Sequence, residues 1–245
     1  MSSRKRNSMK RNSRSSRAGR GEIPSAENLY KWRLFAARLL NSMDWMTESK
    51  GEEQLEAELT LKDKMRAAHV KRWHIVRTLR EQNIAEHSFI VMLIAMEILK
   101  RSGNDPDQRG AIHGELGYDT LRWAMWHDLL EIKTGDIATP TKRRIEALSP
   151  ELLESIEKEF SPEYARISAD TTKTVKMVVK MADMIEAVAF ISEEGSGGHA
   201  AEVKEYLHGA LAKYIDSIPY SYYHVFGKAA ESIANELGIA LEARK

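Results

Sequence analysis

From residue 84 onward, apolar positions recur at three- and four-residue intervals almost without interruption. This spacing predicts helices over about 85–101, 109–133, 142–148, 150–160, 170–194, 200–217 and 221–243. Pro106, Pro140, Pro150, Pro162 and Pro219 stand at or just after the breaks, where a residue without an N–H costs no helical hydrogen bond. Gly195-Ser-Gly-Gly198 reads as a helix-to-helix turn. Upstream, Leu29, Trp32, Phe35, Ala36, Leu39, Leu40 and Met43 mark another helix with Ser25 as its N-cap, and Leu59–Trp73 carries a weaker helical pattern. No alternating strand pattern competes anywhere, so the expected fold class is all-α.

Some polar residues break the apolar stripes, and these breaks carry the chemistry. His127 and Asp128 interrupt Leu121-Arg-Trp-Ala-Met-Trp126 just ahead of the turn Thr134-Gly-Asp136. Burying such groups unpaired costs several kcal/mol, whereas a bound cation removes the cost. Glu131 follows at helical spacing, so a continuous helix over 109–133 would bring His127, Asp128 and Glu131 to one patch. His87 opens the apolar run 87–96, and Asp183 interrupts Met177–Phe190. Imidazole and carboxylate without thiolate suit a divalent ion such as Co, Mn, Zn, Fe or Mg, with positions left open for water or phosphate.

Composition narrows the class. A chain of 245 residues with 42% apolar residues can bury a real core, and no apolar stretch approaches the ~20 residues a bilayer span requires. With no cysteine there are neither disulfides nor thiolate ligands, and a cytoplasmic location is the default expectation. The net charge of +1 hides an asymmetry: residues 1–20 hold eight Lys/Arg and no Asp/Glu, so the remainder is net acidic. Residues 1–22 are expected to be a disordered basic tail, either a solvated extension or an arm for nucleic acid. Residues 23–58 read as an N-terminal helical extension and 59–245 as the main domain.

The ordered series Arg72-Trp73, Asn83-Ile-Ala-Glu-His87-Ser, Trp126-His127-Asp128-Leu-Leu-Glu131, Thr134-Gly-Asp136-Ile-Ala-Thr-Pro-Thr-Lys142 and Lys180-Met-Ala-Asp183 resembles the HD superfamily of metal-dependent phosphohydrolases. Within it, the series is most similar to the YfbR-like 5′-deoxynucleotidase group, over roughly residues 60–235. Ala138 departs from that group, which often carries proline there. The resemblance implies an HD-domain helical bundle in which His87, His127, Asp128 and Asp183 ligate one divalent ion. Glu131 would orient or deprotonate an attacking water, and Arg72 would grip the phosphate with its planar fork. Asp136 would protonate the departing 5′-oxygen or fix the sugar, Lys142 and Lys180 would add positive charge, and Trp73 would pack against the sugar and disfavour a 2′-hydroxyl. A homodimer is also implied.

Three functions compete. The first is removal of the 5′-phosphate from deoxynucleoside monophosphates by a metal-activated water. The second is release of triphosphate from a deoxynucleoside triphosphate on the same scaffold, as in the dATP-hydrolysing branch. The third is a nucleic-acid-binding or regulatory HD module using the basic tail. Alone, each residue also has a blander reading: Lys142 and Lys180 as solvated lysines, Trp73 and His87 as core, Arg72 as a structural arginine. His69, His74, His113, His199, His208 and His224 show no convergent partners. The aromatic cluster Tyr220, Tyr222, Tyr223 and Phe226 reads as core or dimer contact rather than a base-stacking platform.

Overall fold

The computed structural model describes residues 58–103 and 111–241. The expected basic tail and the N-terminal helix over 25–50 lie outside the described residues. Those that are described form helices and two isolated bridge pairs, Lys71 with Asn83 and Thr78 with Gly195, so the all-α expectation holds. In order these are α1 (Leu61–Lys64), a 3₁₀ turn (Met65–His69), α2 (Ile84–Arg101), α3 (Ala111–Trp126), α4 (Glu131–Thr134), α5 (Thr139–Leu148), α6 (Leu152–Phe160), α7 (Pro162–Asp170), α8 (Lys173–Glu194), α9 (Gly198–Ser217) and α10 (Tyr220–Tyr222), then a π-turn (Tyr223–Gly227) leading into α11 (Lys228–Glu236). No described helix is long and apolar enough to cross a membrane.

α2 and α8 form the centre. α2 starts where Asn83 accepts a hydrogen bond from the Glu86 N–H at 2.9 Å, and Thr172 caps α8 in the same way through Val175 N at 3.3 Å. The buried stripe of α2 runs Ile84, His87, Ser88, Val91, Ile94, Ala95, Ile98, Leu99, a helical spacing that places His87 in line with aliphatic core residues. On α8, Val175, Val178, Val179, Ala182, Ile185 and Glu186 face inward, and α3, α9 and α11 pack around the pair.

Four expectations need correction. The predicted helix over 109–133 stops at Trp126: residues 127–130 form a turn closed by three-residue bonds such as Leu129 N to Trp126 O at 3.0 Å, and Glu131 opens α4. The pattern over 59–73 resolves into the short α1 and the 3₁₀ turn, after which the chain runs irregularly. Helix α7 is unforeseen: Pro162, which stands just after a break as expected, is its first residue, with Ser161 accepting from Tyr164 N at 3.1 Å. The last predicted helix carries a π-turn instead of running evenly. Gly227 lies in that turn with no room for a side chain, since a Cβ there would meet the Tyr223 ring at 2.5 Å. Of the aromatic cluster, Tyr223 and Phe226 are core, while Tyr220 and Tyr222 are exposed.

Candidate metal centre and active site

Three elements deliver four side chains to one point. α2 supplies His87, the turn after α3 supplies His127 and Asp128, and α8 supplies Asp183; one ligand atom from each lies within 4.8 Å of all the others. His87 Nε2 is 3.3 Å from Asp128 Oδ2 and 3.4 Å from Asp183 Oδ1, and His127 Nε2 is 3.5 Å from Asp128 Oδ2. The other nitrogen of each ring is already engaged. His127 Nδ1 donates to Ala124 O at 2.7 Å, and His87 Nδ1 donates to Glu186 Oε2 at 2.7 Å. Those bonds leave both Nε2 lone pairs turned toward the carboxylates, buried and without a hydrogen-bond partner.

Such a cluster demands positive charge. Burial and the nearby Arg72 push the His87 imidazolium toward deprotonation, but the facing carboxylates of Asp128, Asp183 and Glu186 outweigh them and hold its pKa up at about 10. Burial raises Asp128 and Asp183, yet His127 and His87 for the first, and Lys180 and His87 for the second, hold both below the ordinary carboxylate range. Two ionised carboxylates, two imidazole lone pairs and no thiolate fit a divalent cation.

Glu131 behaves in the opposite way. Burial and the charges of Asp128 and Asp136 push it up to about 9, against the opposing pull of Arg72 and Lys142, and its Oε2 is buried without a partner. It lines a cleft together with His127, Asp128, Lys142, Phe160 and Tyr164. The break at 127–130 therefore still brings Glu131 beside Asp128, through a turn rather than along a continuous helix. Gly135, at φ 73, ends α4 in a conformation that glycine alone adopts cheaply, and Asp136 follows it close enough for its charge to act on Glu131 and Arg72. His74, expected to have no partner, sits with Nδ1 3.9 Å from Asp136 Oδ2.

Arg72 is nearly buried. Its Nη1 lies 3.7 Å from Glu186 Oε2 without a hydrogen bond, and the carboxylates of Asp128, Asp183, Glu186 and Asp136 outweigh burial to raise its pKa. Trp73 stacks on Phe190, with centroids 5.8 Å apart and planes 8° from parallel, and Arg72 lies over its ring. Lys142 is exposed on α5 at the cleft. Lys180 is engaged, with Nζ 2.7 Å from Asp183 Oδ2 on the same helix. Two buried polar residues bonded to site residues escaped the sequence reading, Glu186 behind His87 and Gln82 beside Trp73.

Known proteins are similar to this chain. Residues 61–225 match the family described as 5′-deoxynucleotidase YfbR-like. The dATP triphosphohydrolase of Salmonella phage PMBT28 is 37% identical over 152 residues, covering 62% of this chain and 74% of the relative. The 5′-deoxynucleotidase ECA3034 of Pectobacterium atrosepticum is 30% identical over 149 residues, covering 54% and 70%. Among solved structures, the cyanophage S-2L HD phosphohydrolase DatZ, bound to dA and one catalytic Zn²⁺, superposes with a TM-score of 0.62 at 29% identity, covering 74% of this chain and 99% of that one. A divalent-metal cluster of two histidines and two aspartates, an all-helical fold and a match over most of the chain converge: the protein belongs to the YfbR-like family of HD-domain nucleotide phosphohydrolases.

Proposed function

We propose that this chain is a metal-dependent deoxynucleoside triphosphate triphosphohydrolase acting on dATP, releasing deoxyadenosine and triphosphate. The observation that carries this reading is its similarity to phage dATP triphosphohydrolases at 31–37% identity, a higher range than the 30–31% of the 5′-deoxynucleotidases. It favours the second of the three functions over the first. Both reactions add water at the phosphorus attached to the 5′-oxygen and break the same ester, so the catalytic groups are shared and only the length of the departing phosphate chain differs.

In this reading His87, His127, Asp128 and Asp183 hold the divalent ion. When bound, the ion supplies Lewis acidity to the phosphoryl group and lowers the pKa of water. Glu131 stands beside Asp128 with a free, buried oxygen; the positive charge of a bound ion would favour its ionised form, in which it orients the attacking water and takes its proton. Arg72 offers a buried Nη1 with no hydrogen-bond acceptor, which suits a phosphate oxygen. Asp136 protonates or positions the 5′-oxygen and Trp73 packs against the deoxyribose. Lys142, exposed at the cleft, meets the outer phosphates. Lys180 acts through Asp183, whose charge it already neutralises.

The test is product analysis. Protein loaded separately with Co, Mn or Zn is given dATP, dAMP and ATP, and triphosphate is separated from phosphate. Triphosphate from dATP with slow turnover of dAMP is the expected result. Phosphate from dAMP with dATP left intact would return the chain to the monophosphatase reading.

A further inference from the structure

Gln82 stands outside the metal cluster and outside the cleft, yet it is 2% exposed and both ends of its amide are used. Its Oε1 accepts the Trp73 indole N–H at 2.8 Å, and its Nε2 donates to Glu186 Oε1 at 2.5 Å. Glu186 in turn accepts from His87 Nδ1 at 2.7 Å. An indole can only donate and a carboxylate can only accept, so the amide has one satisfactory orientation and no freedom to flip. A continuous line of hydrogen bonds, buried up to Gln82, thus runs from His87 through Glu186 and Gln82 to the edge of the Trp73 ring. The Gln82 carbonyl adds a backbone tie by accepting from Arg72 N at 2.9 Å.

Trp73 is fixed from its face as well. It stacks on Phe190, and Arg80 covers that phenyl ring at 4.9 Å while bonded to Glu86 and Glu194. Among the described residues Trp73 is also the sole non-glycine with positive φ, at 61°. A bulky side chain persists in that region only where its surroundings over-determine it. Three restraints therefore act on one indole: a left-handed backbone, a stacked face and a hydrogen-bonded edge. A core tryptophan needs none of this, whereas a wall that must exclude one hydroxyl group needs all of it. A yielding apolar wall rejects an added hydroxyl poorly.

We infer that Gln82 is a specificity-determining positioning residue: it locks Trp73 to the His87–Glu186 pair, so that the wall against the sugar is held in register with the metal centre. The inference rests on the proposed role of Trp73 at the deoxyribose. Gln82→Leu keeps approximate volume and removes both bonds. The ratio of kcat/KM for dATP over ATP is expected to fall by about fivefold or more, the worth of one hydrogen bond, mainly because ATP becomes acceptable. Trp73→Phe keeps the stack and removes the N–H, so it is expected to lower the same ratio, and the double variant is expected to lower it no further. A merely structural Gln82 would depress both substrates together and leave the ratio unchanged.

The second readout is the Trp73 indole ¹H–¹⁵N resonance, identified by its absence in Trp73→Phe, which is expected to shift in Gln82→Leu. If the wild type prefers dATP and Gln82→Leu keeps that preference although the resonance has moved, the positioning role is overturned while the functional reading stands. If the wild type does not distinguish dATP from ATP, the role of Trp73 falls and takes the inference with it. Should Gln82→Leu fail to fold, Trp73→Phe decides alone: an unchanged ratio overturns the inference.

Discussion

α8 and α5 both bring charge to the same centre, and they are built in opposite ways. Eleven of the 22 residues of α8 are buried, and none of the ten in α5 is. α8 carries Asp183, with Lys180 on one side and His87 on the other, and three residues on it carries Glu186, which fixes the far side of the His87 ring. α5 carries Lys142 with its charge exposed at the mouth of the cleft. Ligand geometry must be held to tenths of an ångström and sits where packing leaves no alternative. Contacts to a phosphate chain of variable length tolerate movement and sit where packing is loose. In the proposed reaction the tightly packed side would set whether hydrolysis occurs, and the exposed side would set what is hydrolysed.

The widest break in that comparison comes from Asp183→Ala or Asp128→Ala. Removing a ligand forfeits several kcal/mol of charge stabilisation, so turnover of dATP is expected to fall on the order of 10³-fold or more. Bound metal, measured on the purified variants, should fall with it, while the far-ultraviolet circular dichroism stays helical. Substantial residual activity in either variant would remove these residues from the metal site. Glu131→Gln is the next largest. It keeps the shape of the cleft and the metal content but removes the proton acceptor, with an expected loss in kcat of about 10²-fold or more. Equal loss of metal in this variant would make Glu131 a ligand rather than a base.

How far the sequence reveals this division depends on contrast. His127, Asp128 and Asp183 stand out because each is polar within an apolar run, and the structure brings them together with His87. Glu186 carries the same signal, since Met184-Ile and Ala187-Val flank it, but lying three residues after Asp183 it passes for a second acid on that face. Gln82 has no contrast at all in Arg80-Glu-Gln-Asn83, and only the tertiary fold shows its burial. The helices of the core were legible because 3.6-residue spacing is what a buried face requires. The stop at Trp126 was not, because neither glycine nor proline marks it and the apolar pattern continues through Leu129, Leu130 and Ile132, which are buried after the turn as well. Ser161-Pro162 shows the converse, since a proline that ends one helix also begins the next.

The charge demand of the tight side can be read without any substrate. In metal-free protein the folded state keeps a proton on His87 up to about 10, where an unfolded histidine gives it up near 6.5. That contribution is fully present below pH 6.5 and is lost as pH rises toward 10. Glu131, raised from 4.5 to about 9, acts with the same sign, because ionising it inside the fold is the unfavourable step. The depressed Asp128 and Asp183 lose their contribution only as pH falls below the ordinary carboxylate range, so they do not change in this window. The melting temperature of the chelator-treated protein is therefore expected to fall by at least a few degrees between pH 6.5 and 9. With Mn or Zn added, the cation replaces the proton and the slope should flatten. Equal slopes with and without metal would show that the cluster does not bind the ion.

The smallest effect tests the exposed side. Lys142→Ala removes an exposed charge from a helix with no buried residue, so stability should hardly move. A single charge about 4 Å from a phosphate oxygen is worth about 1 kcal/mol in water, roughly a fivefold change in affinity. If Lys142 meets the outer phosphates, KM for dATP rises by that factor while KM for dAMP, which has none, changes little. The difference should shrink as salt is raised, because an exposed pair is screened. A rise shared equally by dATP and dAMP would place Lys142 at the phosphorus that reacts and not along the departing chain. The length of that chain would then have to be read by another residue, and the exposure of α5 would carry no information about substrate.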